Sequence, residues 1–160
     1  MIVNWRQWRP YIIGVAIVEA VGFLSGLLSR GGTKIFQMSV IQPPLSPPGW
    51  LFPVVWTILY GLMGISAVRI WKLPASQARS RGLNLFVAQL VLNFFWSLIF
   101  FNAQAYGLAF VWILVLWVVV LAMILEFRKV DRIAALLQIP YLLWLTLAAY
   151  LALGVWVLNR

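Results

Sequence analysis

The sequence predicts an all-α integral membrane protein, one domain over residues 1–160 built as a bundle of five transmembrane helices. Hydrophobic residues make up 64% of the chain and only 9% are charged, against about a quarter in a soluble domain. Five apolar stretches follow one another, each near the ~20 residues that cross a bilayer. Backbone groups in lipid must bond to one another, which makes each stretch a helix.

The predicted spans are separated by short links, apart from a long first loop and a shorter second link over residues 72–82. The spans cover residues 10–29, 49–71, 83–102, 106–127 and 133–158, and the long loop covers residues 30–48. Arg6 and Arg9 ahead of span one are typical of a cleaved signal peptide. The length of the span and Glu19 in its middle favour a retained helix.

Reactive side chains are scarce, which limits the chemistry open to the chain. Cysteine and histidine are absent, and the only acids are Glu19, Glu126 and Asp131. The usual thiol nucleophile, metal ligands and neutral-pH base are therefore missing. We expect no metal site, no catalytic residue and no required cofactor.

The net charge of +9 reflects membrane topology, and we expect no nucleic-acid partner because the cations flank apolar spans. Nine of the twelve cations fall on the side of the N-terminus, the second link and the fourth link. This bias predicts a cytoplasmic N-terminus. The short loops favour a bacterial cell membrane, or the mitochondrial outer membrane if the chain is eukaryotic.

Polar residues inside the spans mark faces that point into the bundle. Gln89, Asn93, Trp96 and Phe100 share one face of span three. Their amides bond to neighbouring helices, and two interpretations stay open: hydrogen bonding alone, or ligand contact as well. Glu19 has two interpretations as well: a proton relay or ligand contact, or a neutral acid bonded to a helix or close to water.

Large rings recur at helical spacing in two further spans. These residues are Trp56, Tyr60 and Met63 in span two and Tyr141, Trp144 and Ala148 in span five. Such stripes are compatible with packing, but two of them beside a polar-aromatic face favour an aromatic-lined cavity. Pro140 should bend span five. The small residues Gly22 and Gly26 allow close helix approach within the bundle or between subunits.

Three sequence blocks together carry a family resemblance. They are PPLSPPGWLFPVVWTILYGLMG at 43–64, QLVLNFFWSLIFF at 89–101 and PYLLWLTLAAYL at 140–151. Their order, spacing and placement resemble the translocator protein family, also called TspO, tryptophan-rich sensory protein or peripheral-type benzodiazepine receptor. The resemblance spans nearly the whole chain. It implies five transmembrane helices, a homodimer and one ligand cavity per subunit, closed by the first loop.

The resemblance also implies ligands and site residues. Known family ligands are tetrapyrroles such as protoporphyrin, with haem as a related candidate, cholesterol in animal members, and benzodiazepine-type drugs. Carried over by motif, the cavity should be formed by Trp56, Tyr60, Asn93, Trp96, Ser97, Trp144 and Ala148, approached by Gly22 and Ser25, with Pro47 and Pro48 at the rim.

The proline-rich stretch fits a gated site. Proline fixes φ and removes donors, so Pro43–Pro48 should be a stiff, extended approach to span two. Residues 30–42 contain Gly31 and Gly32 and should bend. We therefore expect residues 30–48 to form a flexible lid on a stiff hinge, with Arg30 or Lys34 reaching the carboxylates of a porphyrin.

The expected function is binding of tetrapyrroles and other flat hydrophobic ligands for transport, sequestration or sensing. One alternative is light-dependent porphyrin degradation that uses the cavity tryptophans. Another is a lipid- or sterol-binding regulatory protein without transport. The C-terminal tyrosine–cation motif proposed for cholesterol in animal members is missing, because Tyr150 lies ten residues from Arg160.

Overall fold

The computed structural model describes residues 4–160, and its helices account for the five predicted membrane spans. The long helices are α1 (Trp5–Leu28), α3 (Leu51–Trp71), α4 (Gln77–Ser97), α5 (Tyr106–Val130) and α7 (Ile139–Leu158); the short ones are α2 (Arg30–Ser39) and α6 (Arg132–Leu137). A π-helical turn, Leu98–Asn102, continues α4. Five segments are long and apolar enough to cross a membrane, the fifth being α6 and α7 together.

Several helices extend beyond the apolar stretches that predict them. The helix of span one begins at Trp5 and that of span three at Gln77, whereas the sequence predicted residues 10 and 83. Ser76 starts α4 by accepting a hydrogen bond from the backbone N–H of Arg79 at 3.1 Å. Hydropathy marks only the part of a helix that lies in lipid, so the polar first turns were missed.

The prediction of a flexible loop over residues 30–42 is wrong for its first ten residues, which form α2. The Ser29 hydroxyl donates to the Ser25 carbonyl at 2.8 Å, and Thr33 donates to the Ser29 carbonyl at 2.9 Å. These bonds carry the chain from α1 into α2. Gly32 is required here because a Cβ would collide with the Phe101 backbone.

Small residues let α1 approach α3. A Cβ at Gly64 would lie 2.7 Å from the Val15 Cα, and a Cβ at Gly22 would enter the Tyr60 ring. Gly26 has open space around it. The Gly22–Gly26 pattern is therefore divided, with Gly22 packed inside the bundle and Gly26 on the outer surface.

Helix α5 forms the centre of the bundle, packed between α4 and α7. Its inner face is an unbroken stripe of buried residues: Ala109, Ile113, Leu116, Val120, Met123 and Phe127. Two indoles, one on α4 and one on α5, fix its position against α4. Trp96 donates to the Ala109 carbonyl at 3.1 Å, and Trp112 of α5 donates to the Leu92 carbonyl at 2.8 Å.

The fifth span is interrupted at Gln138, between α6 and α7. Pro140 lies in the first turn of α7 and lacks the N–H that would bond back to Leu136, which disfavours a continuous helix through it. The sequence predicted a bend at Pro140, and the structure places the break two residues earlier. Ser66 of α3 holds α6 by donating to the Ala134 carbonyl at 2.8 Å.

Asp131 ties the link between α5 and α6 to α3. It accepts from Arg69 Nε at 2.7 Å and from the Ile133 backbone N–H at 2.9 Å. Burial by itself would raise the pKa of the Asp131 carboxyl, but the hydrogen bonds from Arg69 and Ile133 outweigh it and lower that pKa. The ionised form of Asp131 is therefore stabilised by folding.

We expect Asp131→Asn to lower the free energy of unfolding by about 1 kcal/mol at pH 7, because Asn keeps the helix cap but loses the ion pair. The folded-state pKa lies below the unfolded one. The stability contributed by the Asp131 carboxylate is thus complete above its unfolded-state pKa of about 3.9. It is lost as the pH falls through the folded-state pKa. Thermal unfolding in detergent should show wild type and variant converging in acid.

The matched control is Lys129→Gln, which removes the more exposed Lys129–Glu126 pair and should change stability by less than about 0.5 kcal/mol. If Asp131→Asn remained less stable than wild type by the same amount in acid, the ion pair with Arg69 would not be the source of the lost stability.

Candidate functional site

The polar face of α4 is bound by tyrosines from two other helices. Tyr141 donates to Gln89 Oε1 at 2.8 Å, and Asn93 Nδ2 donates to the Tyr60 hydroxyl at 3.1 Å. Gln89 and Asn93 are 0% and 2% exposed. The amides predicted to face the bundle interior do so, and they form interhelical hydrogen bonds. We call Tyr60, Gln89, Asn93 and Tyr141 the polar layer.

Rings from α3 and α7 stack above the polar layer. Trp56 stacks on Tyr60 with ring centroids 5.3 Å apart, and Trp144 meets Trp56 edge-on at 6.4 Å. Phe52 lies one turn earlier on α3 and packs edge-on against Trp144 at 5.7 Å. Offset and edge-to-face arrangements are the favourable ones for aromatic pairs. These contacts make one rigid wall.

The opposite wall is formed where α4 passes into its π-helical turn. Trp96 stacks on Phe100 with centroids 4.9 Å apart. Phe36 of α2 contacts both Phe100 and Phe101, at 5.2 and 5.4 Å. The π turn inserts an extra residue, which lets two consecutive rings reach α2. Such turns frequently occur at functional sites.

A cavity of about 60 Å³ lies between these two walls, and we call it the aromatic chamber. Its lining is almost entirely apolar, with Gln42, Ser46 and Ser97 as the polar exceptions. The other lining residues are Phe36, Phe52, Trp56, Trp96, Phe100, Phe101, Trp144, Ala148, Leu151 and Val155.

Residues 40–50, which we call the strap, cover the chamber. Asn159 accepts from the Ile41 N–H at 3.0 Å and donates to its carbonyl at 2.8 Å. Tyr150 donates to the Pro44 carbonyl at 2.9 Å. Pro43 packs so closely on Gly154 that a Cβ there would lie 2.6 Å from it. The proline-rich approach to α3 is thus fastened along α7.

Five of the predicted site residues line the chamber: Trp56, Trp96, Ser97, Trp144 and Ala148. Tyr60 and Asn93 lie beneath it in the polar layer. Three helices that are distant in sequence therefore bring their tryptophans to one cavity, as the spacing of the rings predicted.

The remaining predicted residues lie elsewhere. Gly22 packs on the Tyr60 ring, and Ser25 donates to the Phe94 carbonyl at 3.0 Å. Pro47 and Pro48 belong to the strap but are outside the chamber lining. Glu19 is half-buried between α1 and α3, where a Cβ on Gly61 would lie 3.7 Å from its Oε1.

The sequence reasoning missed lining residues of two kinds. Leu151 and Val155 continue the spacing of Trp144 and Ala148 along α7, so extending the stripe would have found them. Phe36, Gln42 and Ser46 had no such signal, because they lie in a segment treated as a loop. Their position depends on how α2 and the strap fold back over the bundle.

The architecture defines a class: a multi-pass membrane protein of five helical spans that encloses an aromatic chamber near one end. The sequence model of the TspO/MBR family matches residues 14–157. The chain belongs to the TspO/MBR family.

Relatives from bacteria and mammals match nearly the full length. Tryptophan-rich protein TspO of Chlorobaculum tepidum is 34% identical, covering 96% of this chain and 98% of the relative. Protein CrtK of Rhodobacter capsulatus is 37% identical over 93% of this chain and 90% of its own. The translocator protein of Ovis aries is 34% identical, with 96% and 92% covered.

The hydrogen bonds of the polar layer should contribute measurably to the stability of the bundle. Among residues 4–160, the Tyr141 hydroxyl is the only group that donates a hydrogen bond to Gln89 Oε1. Tyr141→Phe removes that hydroxyl and leaves a buried acceptor unpaired. Such a loss costs about 1–3 kcal/mol, so thermal unfolding in detergent should occur at a clearly lower temperature. Tyr11→Phe, at the partly exposed start of α1, is the matched control. Equal stability of the two variants would show that the polar layer does not anchor the bundle.

Proposed function

We propose that this protein binds protoporphyrin-like tetrapyrroles and other flat hydrophobic molecules in the aromatic chamber, for transport, sequestration or sensing. The observation that carries the proposal is the convergence of Trp56, Trp96 and Trp144 on one cavity. Flat aromatic walls favour a large planar ligand through stacking and burial of apolar area. The names of two relatives, translocator protein and tryptophan-rich sensory protein, agree with movement or sensing of a small molecule.

The chamber must open to accept such a ligand. Its volume of about 60 Å³ is well below the ~300–1,000 Å³ of ordinary small-molecule sites. The rings of α3, α4 and α7 are braced by the polar layer beneath them. Phe36 and Ser46, by contrast, lie on α2 and the strap, which cover the chamber from outside. We assign α2 and the strap together as the lid, and their displacement as the step that admits ligand.

The charges around the chamber suit a ligand with peripheral carboxylates. No lining residue is charged, so the core of the ligand should be neutral. Arg30 and Lys34 are exposed at i and i+4 on α2, on the face opposite Gly32 and Phe36, so they can meet carboxylates only when α2 is displaced. Histidine and cysteine are absent, and the hydroxyls of Tyr60 and Tyr141 are engaged by Asn93 and Gln89, which argues against iron ligation as the basis of recognition. Metal-free protoporphyrin should therefore bind, and no cofactor is needed.

A second candidate function is light-dependent degradation of bound porphyrin. The observation that favours it is the pair Trp56 and Trp144, whose rings are 6.4 Å apart and both face the ligand space. Illumination of the complex should then give a defined product, and the Trp→Phe variants should abolish its formation. Bleaching without a defined product would leave binding as the function.

Sterol regulation has less support from the structure. Tyr150, the C-terminal tyrosine nearest the expected motif, donates its hydroxyl to Pro44 of the strap and lies ten residues from Arg160. We assign Tyr150 to lid closure.

We also propose a homodimer formed through α1, in a bacterial cell membrane with the N-terminus in the cytoplasm. Only 11% of the apolar window of α1 is buried inside one subunit, against 28–33% for the other spans. Phe23 is 74% exposed, and Gly26, three residues on, has open space around it. Small and large residues alternating on an uncovered face suit close helix packing.

Titration with metal-free protoporphyrin tests the proposed ligand. Trp56→Phe and Trp144→Phe should each weaken binding by about threefold to tenfold, because each loses stacking area worth about 0.5–1.5 kcal/mol. Porphyrin absorbance gives the affinity without relying on the tryptophan signal. The matched control is Trp71→Phe, an exposed ring at the other end of α3. Wild-type affinity in both chamber variants would refute the site.

The lid assignment predicts a kinetic phenotype for Asn159→Ala. Losing both hydrogen bonds to Ile41 should speed porphyrin association and dissociation several-fold, since the lid opens more often. The rates can be followed by stopped-flow fluorescence. Arg160→Ala, which changes the next residue and leaves these bonds in place, is the control. Unchanged rates in Asn159→Ala would exclude the strap as part of the gate.

A further inference from the structure

A second cavity lies at the opposite end of the bundle from the aromatic chamber. It is a groove of about 830 Å³ between the start of α4 and the end of α5, and its charged lining residues are Arg81, Glu126, Arg128 and Lys129. Membrane topology alone would account for cations at this end of the bundle. Topology requires positive charge near a span end, but it does not require the cations to line a groove.

The charges in the groove are not balanced within the protein. Lys129 Nζ pairs with Glu126 Oε1 at 2.7 Å. The ion pairs among residues 4–160 include neither Arg81 nor Arg128, and both arginines are exposed. Two guanidinium groups therefore line one groove without a carboxylate partner. Guanidinium groups match phosphate through paired N–H donors.

Glu126 adds a second polar feature. Its Oε2 atom is buried and has no hydrogen-bond partner in the described part of the chain. An oxygen with almost no accessible surface cannot contact a molecule in the open groove. Glu126 therefore contributes to the groove through Oε1, which pairs with Lys129.

The remainder of the groove is apolar and faces the membrane. Leu85 and Leu125 line it, and Leu125 is 50% exposed on the lipid-facing surface. The two helices that form the groove are held at a fixed distance, because a Cβ on Gly82 would lie 2.7 Å from the Phe127 ring. The groove is thus a preformed feature with a cationic end and an apolar end.

We propose that this groove binds an anionic phospholipid of the surrounding leaflet. The phosphodiester lies between Arg81 and Arg128, and an acyl chain runs over Leu85 and Leu125. Basic pockets between helices recognise such headgroups on the cytoplasmic side of membranes. A free phosphate ion would use the arginines but not the apolar half of the groove.

Lipid titration of the purified protein in detergent tests the proposal. Short-chain phosphatidylglycerol should bind at least tenfold more tightly than phosphatidylcholine of the same chain length, measured by lipid retention in native mass spectrometry. The double variant Arg81→Gln/Arg128→Gln should weaken phosphatidylglycerol binding by about thirtyfold. The matched control Arg6→Gln/Arg9→Gln removes two exposed cations from the same predicted side and should change it less than twofold.

Three results would overturn the proposal. Equal losses in the two double variants would mean that surface charge alone attracts lipid. Equal binding of phosphatidylcholine would remove the role of the headgroup. Full competition by millimolar inorganic phosphate would identify a site for a free anion. If the double variant loses helical signal, the single variants Arg81→Gln and Arg128→Gln replace it, each with an expected loss of about fivefold.

Discussion

Two buried amides, Gln89 and Asn93, impose the constraint on which the rest of the structure depends. An amide in an apolar interior must find hydrogen-bond partners, because water cannot reach it. Tyr141 and Tyr60 provide those partners at 2.8 and 3.1 Å. Each bond joins α4 to a different helix. The rotation of α3, α4 and α7 about their own axes is set by these contacts.

The aromatic chamber follows from that rotation. Once Tyr60 and Tyr141 point at α4, the residues one turn closer to the chamber point the same way, four positions before Tyr60 on α3 and three positions after Tyr141 on α7. Trp56 and Trp144 therefore meet above the polar layer, and Trp96 closes the other side. The polar layer braces the chamber rings of α3, α4 and α7 from beneath, whereas α2 and the strap cover the chamber from outside. In the proposed function, the rings of α3, α4 and α7 bind the ligand, and α2 and the strap control its entry.

The sequence predicted much of this arrangement because its signals are local. The apolar stretches gave the five spans, and the i, i+4, i+7 spacing of Gln89, Asn93 and Trp96 gave the inward face of α4. The helical nature of α2 was missed since Gly31 and Gly32 are usually loop residues. Gly32 is instead needed for contact with the Phe101 backbone. Such a requirement comes from tertiary packing, which no local pattern records.

The two ends of the bundle differ in a way that agrees with the two proposed binding sites. One end has an uncharged aromatic chamber under a fastened lid, and the other has a cationic groove open to lipid. The most direct measurement is a structure with metal-free protoporphyrin bound in a lipid bilayer. The account predicts the macrocycle between Trp56, Trp96 and Trp144 with Phe36 displaced. Porphyrin on the outer surface of the spans, with the chamber still closed, would contradict it.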